Sequence, residues 1–281
     1  MVLVVGGGGG IGRATAELAG QRGASVVVAD IDGVAAETVA QRIKTNGGVA
    51  RAVRADATRI EDIERCRTVC LREFGGLTAG VLSVFADAPA PITELSETAW
   101  DHTISVGLRS AYVLAHVILR DLRAVPNASL TFVSSIQARF GYRGMAAYSA
   151  AKAGVLGLVR QLAVDYGPDG VRVNAVLPAL VLTDRNRDLW EGDPELLDRQ
   201  ARLFPLRRVG APGDVASVIA FLMSEDAAFV TGAAIPVDGG MAAQPAAAAQ
   251  WSDYADRRSA ALARGAEHEG DGAIQGCAGS E

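Results

Sequence analysis

The chain has 281 residues, 49% of them hydrophobic, and a formal net charge of −5. This length and apolar content suffice for one large domain, and the lack of any Lys/Arg run argues against nucleic acid or an anionic membrane as partner. A small-molecule substrate is therefore expected. The N-terminus lacks a charged segment followed by a long apolar core, and no apolar run reaches the roughly 18 residues needed to cross a bilayer, so we expect neither a signal peptide nor a membrane span.

The cysteines and histidines indicate a reducing compartment and no metal site. Cys66, Cys70 and Cys277 form an odd number and have no ligand-like neighbours in the sequence, which argues against a disulfide framework. The three histidines are scattered without carboxylates or cysteines at metal-ligand spacing. We therefore expect a cytoplasmic protein whose site holds no metal ion.

Short apolar, β-branched runs alternate with segments of helical period from the start of the chain to about Met241. This alternation predicts repeated βαβ units, hence an α/β fold with a Rossmann-like, doubly wound parallel sheet of seven strands and helices on both faces. The predicted strands are 2–5, 25–29, 49–55, 79–84, 129–134, 171–177 and 233–237. The predicted helices are 11–22, 34–45, 60–74, 100–123, 147–166 and 212–224. Residues 1–243 would form this one domain.

Two stretches interrupt the pattern. Residues 183–205 are polar and follow the sixth strand, where open α/β sheets place ligand-contacting loops, so we interpret them as a substrate lid. The lid's apolar side chains, which suggest an apolar or cyclic substrate, are Leu189, Trp190, Leu196, Leu203 and Phe204. Residues 244–281 shift to Ala, Gly and charge, with a helix predicted around 251–264; this tail would be mobile or packed on a neighbouring subunit.

A run of glycines links the first strand to the first helix. Gly6 to Gly10 are followed by Ile11 and Gly12, and such a turn lets the backbone approach a pyrophosphate beside the N–H groups of a helix N-terminus. Glycines alone could also be a flexible turn, but the strand–turn–helix context favours a dinucleotide. Asp30 follows Gly12 by 18 residues, at the end of the second strand, and suits a ribose diol. Because a carboxylate repels a 2′-phosphate, NAD is favoured over NADP.

Tyr148 and Lys152 are four residues apart on a predicted helix and would share one face. Free tyrosine has a pKa near 10, and a nearby cation stabilises the phenolate, which would make the pair a general acid/base at workable pH. A surface tyrosine beside a solvated lysine is the alternative. Ser135, which ends the fifth strand region 13 residues earlier, favours the catalytic interpretation.

At these residues the sequence resembles the short-chain dehydrogenase/reductase family over residues 1–243. The glycine turn is similar to the family's TGxxxGxG element, with Val5 in place of its threonine, and Asp56-Ala57-Thr58 is similar to its adenine-contacting Asp-x-Thr element. Further similar elements follow in order: Arg172 to Val176, Pro178 and Thr183, Thr231-Gly232, and Asp238 to Gly240.

The resemblance implies roles for individual residues. Ser135 would hydrogen-bond the substrate oxygen, Tyr148 would exchange a proton with it, and Lys152 would lower the Tyr148 pKa and hold the nicotinamide ribose. The cofactor-binding set would be Gly6, Gly10, Ile11, Gly12, Asp30, Asp56, Ala57, Tyr148, Lys152, Pro178 and Thr183. The implied reaction is hydride transfer between NAD(H) and an alcohol or ketone, and the implied assembly is a homotetramer or homodimer formed through the two longest helices.

Three departures from the family pattern surround the nicotinamide half of the site. The usual Asn-Asn-Ala-Gly element corresponds to Leu82 to Phe85, the helix asparagine that supports a proton-relay water corresponds to Gly107, and the Pro-Gly pair is Pro178-Ala179. Phe85 must therefore either turn away from the cofactor or crowd it. Two alternatives to a dehydrogenase stay open: a non-redox enzyme (dehydratase, cyclase or epimerase) that uses the same Ser/Tyr/Lys set, and a non-catalytic dinucleotide-binding protein.

Overall fold

The computed structural model describes residues 1–244, which form one parallel seven-stranded sheet. The strand order is β3-β2-β1-β4-β5-β6-β7, and every neighbouring pair is parallel. The strands are β1 (Val2–Val5), β2 (Ser25–Asp30), β3 (Val49–Arg54), β4 (Ala79–Leu82), β5 (Ser129–Val133), β6 (Arg172–Pro178) and β7 (Ala234–Val237). The predicted strand number, order in the chain and fold class are confirmed.

Nine α-helices and one π-helical segment occur in the described part of the chain. The helices are α1 (Gly10–Gln21), α2 (Gly33–Thr45), α3 (Ile60–Phe74), α4 (Glu97–Ile104), α5 (Ser110–Leu122), α6 (Ala146–Tyr166), α7 (Arg187–Glu191), α8 (Pro194–Arg202) and α9 (Pro212–Met223). The segment Ser105–Arg109 joins α4 to α5 as a π-helix.

Helices cover both faces of the sheet. The buried side chains of α3, α5 and α6 form one apolar cluster with the strands, and those of α1, α2 and α9 form a second. Because both faces are covered, β1, β4 and β6 are buried throughout; β1 and β4 are apolar at every position, whereas β6 also buries Arg172 and Asn174. This explains why the strands appear in the sequence as continuous apolar runs.

The order in which successive strands are added to the sheet changes direction between β1 and β4. The two strands are neighbours, with Val5 opposite Leu82, and their connections leave toward opposite edges of the sheet. In open α/β sheets, ligands bind outside the carboxyl ends of the strands at this crevice. The topology therefore places the glycine turn after β1 and the departing segment after β4 side by side.

The fifth predicted helix, residues 100–123, has a different form. It begins earlier, at Glu97, where the Ser96 hydroxyl accepts a hydrogen bond from the Ala99 N–H, and it passes through the π-helical segment before ending at Leu122. The prediction of one continuous helix did not include this π-turn, which adds one residue to a turn of the helix. By length and composition the segment from Glu97 to Leu122 could cross a membrane, but 56% of its apolar window is buried inside the fold, as in a core helix.

The predicted lid is helical rather than a loop, since it contains α7 and α8. Asp193 caps α8 by accepting the Leu196 N–H, and Pro194 occupies its first position, a start signal that the prediction of a polar loop did not use. Phe204, predicted as a lid residue, is only 2% exposed and packs beside Gly239, so it belongs to the core. The tail predicted for residues 244–281, with its helix around 251–264, lies outside the described residues except for Gln244.

Candidate active site

The glycine turn makes the close approaches that its sequence predicts. Gly6 has a φ of +79°, and a Cβ there would stand 2.3 Å from the Ser83 carbonyl oxygen; a Cβ at Gly12 would stand 1.9 Å from the Gly6 oxygen. At Gly9, by contrast, nothing lies within 4 Å of where a Cβ would be. The turn is thus packed against the protein on one side and open on the other.

The open side of this turn suits a pyrophosphate. Helix α1 begins at Gly10 without a side-chain cap and without an acidic residue in its first turn. Its first N–H groups, including those of Gly10, Ile11 and Gly12, are therefore available to an anion, which the helix dipole also favours. The predicted phosphate-binding residues come together as expected of a dinucleotide site.

Asp30 stands next to the same turn. Its Oδ2 accepts the Gly8 N–H at 2.9 Å and its Oδ1 accepts the Asp32 N–H at 3.0 Å. A Cβ at Gly8 would lie 2.9 Å from this carboxyl group, so glycine is what allows the contact. Each carboxylate oxygen has a further lone pair, which leaves Asp30 able to accept both hydroxyls of a ribose.

Asp56 and Ala57 lie one strand further along the crest, after β3. The Asp56 Oδ1 accepts both the Thr58 N–H at 2.8 Å and the Thr58 hydroxyl at 2.7 Å, and the Asp56 N–H donates to Asp62. These bonds hold the turn after β3, and Ala57 is 8% exposed beneath it. Asp56 therefore has a clear structural task in addition to any contact with adenine.

Thr183, which follows β6 in the sequence, lies beside the glycine turn. Its methyl carbon would be 3.1 Å from a Cβ at Gly10, and Asn186 fixes the residue by accepting its N–H at 2.7 Å. The next residue, Asp184, pairs with Arg13 in the first turn of α1. The start of the lid is therefore anchored directly over the predicted cofactor groove, and Pro178 ends β6 at the same edge.

Ser135, Tyr148 and Lys152 meet at the carboxyl end of the central strands. Ser135 follows β5, Tyr148 and Lys152 share one face of α6, and all three are buried, at 7%, 8% and 3% exposure. The Ser134 hydroxyl donates to the Lys152 carbonyl oxygen at 2.9 Å and so ties α6 to the end of β5. The predicted catalytic set is thus one cluster beside the switch point of the sheet.

The Lys152 ammonium is held by backbone carbonyls. Its Nζ donates to the Val133 oxygen at 2.9 Å and to the Val84 oxygen at 3.3 Å, and it lies 5.6 Å from the centre of the Tyr148 ring. Burial lowers the pKa of Lys152 to about 8. Two of the three ammonium protons are used, so one remains for a ligand.

The pKa of Tyr148 moves opposite to the expected direction. Burial raises it to about 12; a hydrogen bond with Ser135 lowers it, and the nearby Asp87 carboxylate raises it further. The Lys152 ammonium is hydrogen-bonded to two carbonyl oxygens and lies 5.6 Å from the centre of the ring, and burial is the larger effect on the phenol. At neutral pH Tyr148 is therefore a neutral phenol, the form that donates a proton to a ketone oxygen.

Gly107 occupies the position at which the family has an asparagine. It lies in the π-helical segment, and a Cβ there would stand 2.7 Å from the Cβ of Ala151. This close packing leaves no room for a side chain at Gly107, because Gly107 lies against Ala151, the residue that precedes Lys152 in α6. A π-turn also shifts the helical hydrogen-bond register at this point, as it often does near functional sites.

Phe85 turns outward at the mouth of the site. Phe85 is 45% exposed, and the centre of its ring lies 5.5 Å from the centre of the Tyr148 ring, with 56° between the ring planes. The Arg185 guanidinium carbon lies 4.4 Å from the centre of the Phe85 ring. Arg185 also faces Asp87 at 3.8 Å. The Phe85 ring therefore borders the Tyr148 phenol at the mouth of the site.

Comparisons with known proteins agree with this geometry. A family model described as enoyl-(acyl carrier protein) reductase matches residues 6–242. The chain is 36% identical to 2-(S)-hydroxypropyl-CoM dehydrogenase 3 of Xanthobacter autotrophicus over 86% of its length and 96% of that protein. It is 37% identical to cis-4-hydroxycyclohexanecarboxylate dehydrogenase of Sinomonas cyclohexanicum, with 86% and 96% coverage.

The chain belongs to the short-chain dehydrogenase/reductase family. The solved structure of aldohexose dehydrogenase from Thermoplasma acidophilum superposes with a TM-score of 0.77 at 28% identity, covering 87% of this chain and 94% of the other. The relatives above are named as dehydrogenases, and this chain is a hydride-transferring alcohol oxidoreductase. The family and the reaction class predicted from the motifs are confirmed.

The prediction missed the residues that border the site from outside the motifs. Arg13, Asp87, Asp184 and Arg185 make the contacts between the lid, the glycine turn and the segment after β4. The one available signal was position, because Asp184 and Arg185 directly follow Thr183, which was already placed in the cofactor set.

Proposed function

We propose that this chain is an NAD-dependent dehydrogenase of small cyclic alcohols, with Ser135, Tyr148 and Lys152 as its catalytic residues. The observation that carries the proposal is that these three side chains are buried together at the carboxyl end of β5, beside the open groove that starts at the glycine turn. Binding there would put a nicotinamide and the substrate oxygen against the same phenol.

The chain's own residues account for the proton chemistry. The Ser135 hydroxyl, which lowers the pKa of the Tyr148 phenol, and the phenol itself would both bond the substrate oxygen. In ketone reduction Tyr148 donates its proton at the phenolic oxygen; in alcohol oxidation that oxygen must accept one, and the nearby Ser135 hydroxyl, which lowers the phenol pKa, favours the phenolate. Lys152, which has one ammonium proton left for a ligand, would hold the nicotinamide ribose. The bound nicotinamide supplies or accepts the hydride.

Asp30 supports NAD over NADP. Its carboxylate is fixed by the Gly8 and Asp32 N–H groups, so it cannot easily turn away from the adenosine ribose. A 2′-phosphate would meet this negative charge at short range. Gly6, Gly10, Ile11, Gly12, Asp56, Ala57, Pro178 and Thr183 complete the proposed cofactor groove.

The substrate class rests on the pocket wall and on the relatives. Phe85 offers an exposed aromatic surface next to Tyr148, which suits an apolar ring. Similar proteins are named for cyclohexanol and for 4-hydroxycyclohexanecarboxylate. A six-membered ring bearing a secondary hydroxyl fits both observations.

Titration with NADH and NADPH, followed by nicotinamide fluorescence, tests the cofactor assignment. The wild type should bind NADH more tightly by at least about tenfold, and Asp30→Ser should narrow that preference by admitting NADPH. NAD-linked oxidation of cyclohexanol then tests turnover. Binding without turnover on any alcohol would favour a non-redox use of the same residues, whereas absence of binding would refute the proposal.

The same proposal extends to assembly and compartment. Tyr112 on α5 and Val164 on α6 are 46% and 73% exposed, so these helices present apolar surface that a second copy could cover. We propose a homotetramer, or failing that a homodimer, formed through α5 and α6; its mass in solution tests this.

Cys66 and Cys70 are buried free thiols, which suits a cytoplasmic location.

A further inference from the structure

One charged group at the mouth of the site has no part in the proton chemistry described above. The Arg185 guanidinium carbon lies over the Phe85 ring, 4.4 Å from its centre, and the same ring is 5.5 Å from the Tyr148 ring. The guanidinium and the Tyr148 ring therefore both border Phe85. A small substrate held at the phenol could reach the guanidinium with its far end.

Arg185 has unused hydrogen-bond donors. Within residues 1–244 its side chain makes the contact with the Phe85 ring and an ion pair with Asp87 at 3.8 Å, which is too long for a hydrogen bond. Attraction to a ring face engages the charge of a guanidinium rather than its five N–H groups. The N–H groups are therefore oriented by their neighbours but not consumed by them.

Three other arginines of this region have carboxylate acceptors of their own. Arg187 pairs with Glu191, Arg202 with Asp198 and Arg208 with Asp214, each at hydrogen-bonding distance. Of these four arginines, Arg185 alone lacks such an acceptor among residues 1–244, and it lies over the ring that packs beside Tyr148. A planar cation with free paired N–H groups matches the geometry of a carboxylate, which it can bind through two parallel bonds.

We propose that Arg185 determines specificity by binding a carboxylate on the substrate, so that the preferred substrate is a ring alcohol with an acidic group at the end remote from the hydroxyl. The proposal rests on the proposed function, since it uses the same site. Asp87 holds the guanidinium in place and, by its own charge, disfavours a carboxylate bound closer to Tyr148. The apolar ring would lie along Phe85 between the two polar ends.

The experiment compares two alcohols that differ in one group, cyclohexanol and 4-hydroxycyclohexanecarboxylate, in NAD-linked oxidation. The wild type should show the higher kcat/KM with the carboxylate. Arg185→Gln should lose about 10- to 100-fold with the carboxylate, chiefly through KM, and stay within about twofold with cyclohexanol. The control Arg187→Gln, on the same lid, should change neither. Equal losses on both alcohols for Arg185→Gln, or no preference in the wild type, would overturn the proposal.

A binding measurement separates this inference from the proposed function. Cyclohexanecarboxylate has no hydroxyl to oxidise, so calorimetric titration reports the anion site without turnover. Binding to the wild type that is lost in Arg185→Gln, with no oxidation of either alcohol, would support the anion site and refute the dehydrogenase. Equal binding to both proteins, or binding to neither, would refute the anion site whatever the activity.

Discussion

The buried lysine at the centre of the site should be visible in the pH dependence of stability. Lys152 is 3% exposed, and burial lowers its pKa from 10.5 to about 8. Between these values the unfolded chain binds a proton at this amine and the folded chain does not, so the free energy of unfolding rises with pH. The variant Lys152→Met removes the group and should lack this rise.

The expected size follows from the two pKa values. Moving the lysine pKa from 10.5 to about 8 corresponds to about 3 kcal/mol. At pH 7 this penalty is opposed by the hydrogen bonds to the Val84 and Val133 oxygens, which cost about 1–3 kcal/mol when left unmade. Wild type and Lys152→Met should therefore have similar stability at pH 7, and the wild type should gain most of the 3 kcal/mol by pH 10.

Urea unfolding at pH 7, 8, 9 and 10 provides the assay. The chain has one other lysine, Lys44 on the surface of α2, so Lys44→Met is a matched control. The difference in free energy of unfolding between Lys44→Met and the wild type should stay constant from pH 7 to pH 10. The buried thiols of Cys66 and Cys70 have pKa values raised by burial to about 12, but they occur in all three proteins and cancel in the differences. A pH-independent difference for Lys152→Met would refute the account of a desolvated ammonium.

Other substitutions test the packing and charge around the site. Gly12→Ala places a methyl group 1.9 Å from a backbone oxygen and should lower Tm by roughly 2–10 °C and weaken NADH binding, whereas Gly9→Ala meets open space and should do neither; equal melting curves would contradict this. Gly107→Asn crowds Ala151 and should cost about 1–3 kcal/mol in chemical unfolding; unchanged stability would show that α6 can move aside. Asp87→Asn removes a charge that raises the pKa of the catalytic phenol, so the pH profile of alcohol oxidation should move to lower pH; a shift to higher pH would refute that role.

Much of the fold could be predicted because the strands and glycines are constrained locally. A strand buried on both faces is mostly apolar, as β1 is throughout, and only glycine can stand where Gly6 meets the Ser83 carbonyl, so both features are visible in the sequence. The spacing of Tyr148 and Lys152 and the position of Ser135 after a strand predicted that these residues would meet, and the family resemblance supplied the roles proposed for them. These signals lie within short segments of the chain.

The parts that escaped prediction depend on contacts between distant segments. No local pattern joins Arg13 to Asp184 or places Arg185 over Phe85, because these pairs are brought together by the packing of the lid on the sheet. The direction of the Tyr148 pKa was wrong for the same reason. Four-residue spacing puts the lysine near the phenol, but only the fold shows that carbonyl oxygens engage the ammonium and that burial is the larger effect.

The most direct test of the central claim is the kinetics of Tyr148→Phe with an oxidisable ring alcohol and NAD, measured beside its NADH affinity. The phenyl ring keeps the packing against Phe85 and loses only the proton-carrying oxygen. We expect kcat to fall by about 10²- to 10⁴-fold while NADH affinity stays within a few fold of the wild type. A variant that oxidises the alcohol at the wild-type rate would contradict the assignment of Tyr148 as the group that moves the proton.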